Sequence, residues 1–141
     1  MKKFIIFTDG GSKGNPGPAA IGVIICNQKG EDWKKYSQFI GENKTNNEAE
    51  YEAAIFALSK LKQILGKRLA KSTEVQIRSD SELLVKQISG EYKVLEPKIK
   101  ELFLELWNLK VDFKSVQFKL IPREKNKEAD QLVNEALKAL P

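Results

Sequence analysis

The chain has 141 residues, a length that suits one domain with one core, and its composition is ordinary for a globular protein. The formal net charge of +5 is compatible with an anionic partner. Histidine is absent, which excludes a histidine general base, a Ser-His-Asp or Cys-His site and the common zinc ligand sets. Catalysis by this chain would depend on carboxylates, lysine, hydroxyls or a hard divalent metal.

The N-terminal third of the sequence predicts β-structure. Apolar residues on both faces of segment 3–9 predict a central strand, and further strands are predicted over 19–27 and 32–40. The short links between them favour an antiparallel meander. Cys26 is the single cysteine, and its place in an apolar run predicts a buried thiol and no disulfide within the chain.

Helices and strands alternate in the rest of the sequence. The predicted elements are a helix over 47–65, a strand over 74–79, helices over 81–89 and 97–109, a strand over 115–121 and a helix over 126–140. Strands separated by helices usually join a sheet in parallel, so the predicted fold is α/β, a mixed sheet flanked by helices. Trp107 falls in the amphipathic helix over 97–109 and is predicted to lie in the core.

No targeting or membrane segment is visible in the sequence. Lys2 and Lys3 precede only a short apolar run without a cleavage-like site, and no stretch approaches the length of a membrane span. We therefore expect a cytoplasmic protein without membrane contact, folded as a single domain over residues 1–141.

Two carboxylates follow predicted strands. Asp9 ends the first strand and precedes a glycine-rich turn, and Asp80 ends the strand over 74–79. Ligands of α/β sheets gather outside the carboxyl ends of strands, which makes both residues candidates for a site. The structural alternatives are that Asp9 starts a turn and that Asp80 caps the next helix.

A third carboxylate faces inward from the helix over 47–65. At 100° per residue, Glu50 lies on the apolar stripe, whereas Glu48 and Glu52 lie on the opposite side. A buried carboxylate needs a partner, either a lysine or arginine or a metal ion.

A fourth carboxylate, Asp130, lies on the flank of the apolar stripe of the last helix. Its structural alternative is a boundary residue near a helix N-terminus, where negative charge is favourable. Four such carboxylates can hold two hard divalent cations, which suit an in-line phosphodiester displacement. Periodicity alone leaves open whether the four meet.

Four segments of the sequence resemble type 1 ribonuclease H, in family order and over nearly the whole chain. They are "FTDGGSKGNPGPAAIG", "TNNEAEYEAAIFAL", "IRSDSELLVKQI" and "REKNKEADQLVNEAL". The resemblance implies the ribonuclease H-like fold, with a five-stranded sheet of three antiparallel strands and two parallel additions. It also implies endonucleolytic cleavage of the RNA strand of RNA–DNA hybrids, leaving 5′-phosphate and 3′-hydroxyl ends. The family uses Mg²⁺ or Mn²⁺, two ions per site during catalysis, and a monomer is expected.

The resemblance also assigns site residues. The catalytic, metal-binding carboxylates of the family fall on Asp9, Glu50, Asp80 and Asp130. The turn and helix start that grip the hybrid correspond to Gly11, Ser12, Gly14, Asn15, Thr45, Asn46 and Asn47. Asparagines donate and accept hydrogen bonds, so they can read a 2′-hydroxyl in the minor groove. Thr45 matches a threonine that helps to hold a DNA-strand phosphate, and capping of the helix is the alternative role of Asn46 and Asn47.

The sequence departs from the family at three places. Arg123 stands where many members have a loop histidine, and a guanidinium cannot be a general base. We expect it to hold a phosphate or aid product departure, with a surface ion pair as the alternative. Glu82 replaces a glutamine that contacts RNA, and it either tunes metal preference towards Mn²⁺ or is an ordinary first-turn acid. The basic insert of some members is missing, which predicts weaker hybrid affinity.

Other functions stay open at this point. The fold could bind nucleic acid without cleaving it, or cleave double-stranded RNA or branched DNA, or belong to a reverse transcriptase or other larger enzyme. The four carboxylates argue against a non-cleaving module, and the asparagines favour an RNA substrate. Because the chain frames the domain tightly, we expect a free-standing enzyme.

Overall fold

A five-stranded mixed sheet forms the centre of the molecule. The structure is a computed structural model that describes residues 2–140. Its strands are β1 (Lys2–Ser12), β2 (Gly17–Asn27), β3 (Asp32–Lys44), β4 (Thr73–Ser79) and β5 (Ser115–Leu120). They lie in the order β3-β2-β1-β4-β5, with β1 to β3 antiparallel and β4 and β5 added in parallel. The predicted mixed sheet is confirmed.

Helices cover both faces of this sheet. They are α1 (Asn46–Leu65), α2 (Lys67–Ala70), α3 (Glu82–Ile88), α4 (Pro97–Val111) and α5 (Lys127–Lys138), with a 3-10 turn over Arg123–Lys125. The single-turn helix α2 was not predicted, because four residues are too few to show a period. Within residues 2–140, no helix combines the length and apolar content needed to cross a membrane.

Two hydrophobic layers account for the double-sided character of β1 and β2. The main core packs α1, α3 and α4 against one face of the sheet, where Ile6, Ile25 and Leu106 are fully buried. On the other face, α5 covers apolar residues of β2. Cys26 is a buried free thiol in this second layer, as predicted.

The prediction that Trp107 belongs to the core is wrong. α4 buries Ile99, Leu102 and Leu106, and Trp107 lies 100° further round the helix, with 46% of its surface exposed. Its ring stacks on Phe103 on the outer side of α4. The apolar stripe of α4 is therefore wider than the strip that the sheet and α1 cover.

Two glycines in the central strands let the backbones of two helices pack directly against the backbone of the sheet. A Cβ on Gly10 of β1 would lie 2.3 Å from the carbonyl group of Ala49 in α1. A Cβ on Gly22 of β2 would lie 2.2 Å from the carbonyl oxygen of Ala129 in α5. Gly22 pairs with Asp9 in the β1–β2 register. α1 and α5 thus contact the sheet on either side of Asp9. These contacts set the positions of Glu50 on α1 and Asp130 on α5 relative to Asp9.

Candidate active site

Three carboxylates meet at the carboxyl edge of the sheet. Because β1 and β4 are parallel neighbours, Asp9 and Asp80 come to the same edge. Glu50 reaches them from α1, and one carboxylate oxygen from each of the three residues lies within 4.8 Å of the other two. Asp130 lines the same cavity, of about 300 Å³, together with Asp9 and Glu50. The structure therefore brings all four predicted carboxylates together, Asp130 at the exposed rim.

Glu50 is held inward by the backbone of β1. Its Oε1 accepts a hydrogen bond from the Gly10 amide at 2.8 Å, and its side chain is buried. Glu48 instead contacts the start of its own helix, and Glu52 pairs with Lys44 at 2.8 Å. The helical period thus predicted correctly which of the three glutamates faces inward. The contact of Glu50 with Gly10 could not be predicted from the sequence.

Burial and the neighbouring acids raise the pKa of two carboxyl groups of the site, Asp9 and Glu50. Burial, followed by the charges of Asp80 and Asp130, raises the pKa of Asp9 to about 8. Burial and the charge of Asp9 also raise the pKa of Glu50 well above its usual value, and the charge of Arg123 opposes this shift. The site consequently carries too little positive charge to offset the raised pKa of Asp9 and Glu50.

This donor set fits a divalent metal ion. Carboxylate oxygens are the ligands that hard cations such as Mg²⁺ and Mn²⁺ prefer, and a bound cation would keep the acids ionised. Asp9 and Glu50 are buried, and within residues 2–140 neither forms an ion pair, although Arg123 lines the same cavity, which supports the metal rather than the ion-pair alternative.

Asp80 is available to the site because another residue caps the following helix. Ser81 is the N-cap of α3, and its hydroxyl accepts a hydrogen bond from the Leu84 amide at 3.2 Å. The alternative in which Asp80 is the cap is therefore wrong. Asp80 Oδ2 instead accepts a hydrogen bond from Asn126 Nδ2 at 3.3 Å. Asn126 was not singled out from the sequence, because an asparagine before a helix resembles an ordinary cap.

The turn after β1 is bonded to the start of α1. Asn46 Oδ1 accepts hydrogen bonds from the amide of Ser12 at 2.9 Å and from its hydroxyl at 3.2 Å. Asn15 Oδ1 in turn accepts a hydrogen bond from the Asn46 amide at 2.9 Å. Gly11 lines the acidic cavity, and Gly14 has a φ of +76° that favours glycine. The predicted substrate-binding segments therefore form one connected surface beside the carboxylates.

Thr45 caps α1. Its hydroxyl accepts a hydrogen bond from the Glu48 amide at 3.1 Å, and the Glu48 side chain bonds back to the Thr45 amide in a capping box. The alternative in which Asn46 or Asn47 is the cap is therefore wrong, and both lie exposed in the first turn of α1.

Arg123 and Glu82 differ in their relation to the site. Arg123 lines the acidic cavity, and within residues 2–140 it has no ion pair, so the structure does not support the surface ion-pair alternative. Glu82 is exposed, pairs with Lys86 at 3.1 Å and accepts a hydrogen bond from the Tyr92 hydroxyl at 3.2 Å. It lies outside the three-acid cluster, which favours its role as a first-turn helix acid.

Known proteins resemble this chain over nearly its whole length. A family model described as "Reverse transcriptase-like" matches residues 7–136. Bifunctional protein Rv2228c of Mycobacterium tuberculosis is 35% identical over 143 residues, covering 97% of this chain and 36% of that protein. Ribonuclease HI of Halobacterium salinarum is 34% identical over 131 residues, covering 93% and 62%. The structure of LC11-RNase H1 in complex with an RNA/DNA hybrid has a TM-score of 0.89 and 48% identity, and covers 96% of both chains.

The sheet order and the pattern of parallel and antiparallel strands are those of a ribonuclease H-like protein. With these similarities, the chain belongs to the ribonuclease H type 1 family. It spans 36% of the length of Rv2228c and 62% of that of the Halobacterium enzyme.

Proposed function

We propose that this protein is a metal-dependent ribonuclease H that cleaves the RNA strand of RNA–DNA hybrids internally and leaves 5′-phosphate and 3′-hydroxyl ends. The observation that carries the proposal is the meeting of Asp9, Glu50 and Asp80 within 4.8 Å, with Asp130 lining the same cavity. The likeness to LC11-RNase H1, a protein that binds an RNA/DNA hybrid, supports the substrate.

The four carboxylates would hold two Mg²⁺ or Mn²⁺ ions. When bound, such a pair activates the attacking water and stabilises the leaving oxygen of a phosphodiester. The protein's own part is to fix the ligands before the ions arrive: the Gly10 amide holds Glu50, and the Asn126 amide holds Asp80. Arg123 at the cavity wall places a permanent cation where a substrate phosphate would lie.

The turn and the start of α1 are suited to read the hybrid. Asn15 and Asn46 each use Oδ1 within the protein, and within residues 2–140 their Nδ2 groups have no partner. Two amide donors therefore face solvent beside the acids, where they can bond to acceptors in a minor groove. Gly11, Ser12, Gly14, Thr45 and Asn47 complete the proposed contact surface, and Glu82 lies outside the three-acid cluster.

The remaining expectations follow from the same assignment. We propose that residues 1–141 fold as one ribonuclease H domain that acts as a monomer in the cytoplasm. Double-stranded RNA is the alternative substrate, and a non-cleaving nucleic-acid-binding module is the alternative function.

The test uses a hybrid labelled on its RNA strand, with double-stranded RNA and a DNA junction as comparison substrates. Cleavage would be followed in Mg²⁺, Mn²⁺ and EDTA, with Asp9→Asn protein as the control. We expect internal cleavage of the hybrid RNA that requires metal and Asp9. Hybrid binding without cleavage in either metal would support the binding-module alternative. Preferred cleavage of double-stranded RNA would show that double-stranded RNA, and not the hybrid, is the substrate.

A further inference from the structure

Asn126 is a buried side chain that joins distant parts of the site. It precedes α5 and is 2% exposed, yet it makes no side-chain cap on that helix. Its Nδ2 donates hydrogen bonds to the Thr8 carbonyl oxygen at 2.9 Å and to Asp80 Oδ2 at 3.3 Å. One amide group therefore connects the residue before Asp9 with the carboxylate that follows β4.

The same residue is also connected to the fourth acid. The backbone oxygen of Asn126 accepts a hydrogen bond from the amide of Asp130 at 3.1 Å, in the first turn of α5. Three of the four acidic segments thus depend on Asn126, through its side chain or its backbone. The fourth, at Glu50, is held separately by Gly10.

This arrangement is costly for stability. Asparagine is a favoured N-cap, but here the side chain gives up that role. Its Oδ1 is buried and, within residues 2–140, has no hydrogen-bond partner. A buried polar atom without a partner destabilises the fold, so the two hydrogen bonds of Nδ2 are made at the expense of Oδ1.

We propose that Asn126 is a positioning residue that sets the orientation of Asp80 and thereby the metal affinity of the site. This inference rests on the proposed metal-dependent function. The amide bonds to one carboxylate oxygen of Asp80 and leaves the other for a cation. It adds no charge, whereas an aspartate at this position would lose the donor and repel Asp80.

The test measures metal binding without substrate. Mg²⁺ and Mn²⁺ would be titrated calorimetrically into wild type, Asn126→Ala and Asn126→Asp, with Leu106→Ala as a control that lowers stability in the core far from the acids. Removing a hydrogen-bond partner of a metal ligand typically costs about 10- to 100-fold in affinity, and we expect a loss of this size in both Asn126 variants. For hybrid cleavage, we expect a lower kcat with little change in KM. Leu106→Ala should lower the melting temperature but keep the metal affinity.

Wild-type metal affinity in either folded Asn126 variant would overturn the proposal. Should Asn126→Ala fail to fold, the nearly isosteric Asn126→Asp variant gives the decision. Metal binding that depends on Asn126 in a protein unable to cleave hybrids would refute the proposed function and leave this inference intact.

An independent observation concerns the opposite end of the sheet. Trp33, at the start of β3, is 45% exposed, and its ring stacks on Phe4 with centroids 5.5 Å apart. Lys34 Nζ lies 5.5 Å from the same ring centroid. Trp33 lines a shallow groove of about 530 Å³ together with Lys2, Lys3, Phe4, Asn27, Gln28, Glu31, Asp32 and Leu65. We call Trp33, Lys2, Lys3 and Lys34 together the distal surface.

The distal surface is rich in positive charge that is not needed for the carboxylate site. From Lys3 to Asp9, β1 rises roughly 20 Å, so the two sites lie at opposite ends of the strand. Of the two acids of the groove, Asp32 pairs with Lys35 at 3.3 Å, and Glu31 accepts a hydrogen bond from Asn27 at 3.3 Å. Within residues 2–140, three lysines therefore face one acid without an ion pair, and this net positive charge suits an anion.

We infer that the distal surface binds single-stranded nucleic acid, with a base stacked on Trp33 and phosphates beside the lysines. An exposed aromatic ring among cations is the usual arrangement for a single strand, whose bases are free to stack. A duplex held at the carboxylates is too stiff to bend round to this end, so the ligand would be a separate strand.

Fluorescence of Trp33 provides the test. In a Trp107→Phe background, Trp33 is the only tryptophan, and we expect a single-stranded oligothymidylate to quench it at low salt. Binding should weaken with salt and drop at least tenfold in a Lys3→Glu, Lys34→Glu variant, but not in a Lys98→Glu, Lys100→Glu variant, which makes the same charge change on α4. Absence of quenching, or equal losses in both charge variants, would overturn the inference.

Discussion

Replacement of Gly10 by alanine tests whether close contact between β1 and α1 builds the site. The added Cβ would lie 2.3 Å from the carbon and oxygen of the Ala49 carbonyl and 2.7 Å from the amide nitrogen of Glu50. These are backbone atoms, which cannot rotate away as a flexible side chain could. α1 would therefore have to move away from β1, taking Glu50 with it.

The size of the effect follows from these distances. Restoring an ordinary contact requires a displacement of roughly 1 Å. Overpacking of this kind costs about 1–3 kcal/mol, and the rigid partner places Gly10→Ala at the upper end. A loss of about 3 kcal/mol corresponds to a fall of roughly 10 °C in melting temperature for a domain of this size. Misplacing a catalytic group by about 1 Å costs about 100-fold in rate, so activity should fall even where the variant is folded.

Denaturant unfolding and hybrid cleavage would be measured on Gly10→Ala and on Gly11→Ala. Gly11 is the matched control for stability, because its Cβ would make an ordinary contact of 3.6 Å with Val133. We expect the stability of Gly11→Ala to stay within about 1 kcal/mol of wild type. Equal stability of the two variants would refute the argument that close backbone approach at Gly10 positions α1.

Three further predictions concern charge and capping. A raised pKa of Asp9 means that the folded, metal-free protein holds a proton that the unfolded chain has lost, so in EDTA its stability should fall as pH rises from about 4 to 8. Asp9→Asn should flatten this pH dependence in thermal melts, and an unchanged slope in the variant would contradict the prediction. Ser81→Ala removes the cap of α3 and should cost about 1 kcal/mol in urea unfolding, whereas a cost near zero would argue against the cap. Arg123→Ala should slow hybrid cleavage and Arg123→Lys should restore part of the rate, because a cation and not a base is needed; equal rates for alanine and arginine would show that no cation is required there.

Sequence patterns predicted the parts of the fold that depend on local periodicity. The five strands follow apolar runs or alternation, the four longer helices follow a 3.6-residue period, and the inward direction of Glu50 follows from the same period. Trp107 shows the limit of this reasoning, since a pattern gives the direction of a side chain but not how far its neighbours extend.

The contacts that assemble the site could not be read from local patterns. Asn126 bonds to Thr8 across 118 positions of sequence, and Gly10 bonds to Glu50 across 40. The caps were left open as alternatives for a related reason: Asp80 and Ser81 are both good caps, and only the packed structure decides which side chain bonds to the helix. Position in the sequence and family resemblance both indicated the four carboxylates, but neither indicated the contacts that hold them.

The attachment of α5 has a consequence for the order in which the protein becomes active. α5 follows the other helices of residues 2–140, and it is anchored to β3 by the ion pair of Lys35 with Glu128 and by the Ser37 hydroxyl bonded to the Leu132 carbonyl. Asn126 and Asp130 arrive only with this helix. A chain emerging from the ribosome would therefore display the proposed nucleic-acid-binding turn before it had a complete set of acids. The proposed cleavage would begin only once synthesis had passed α5.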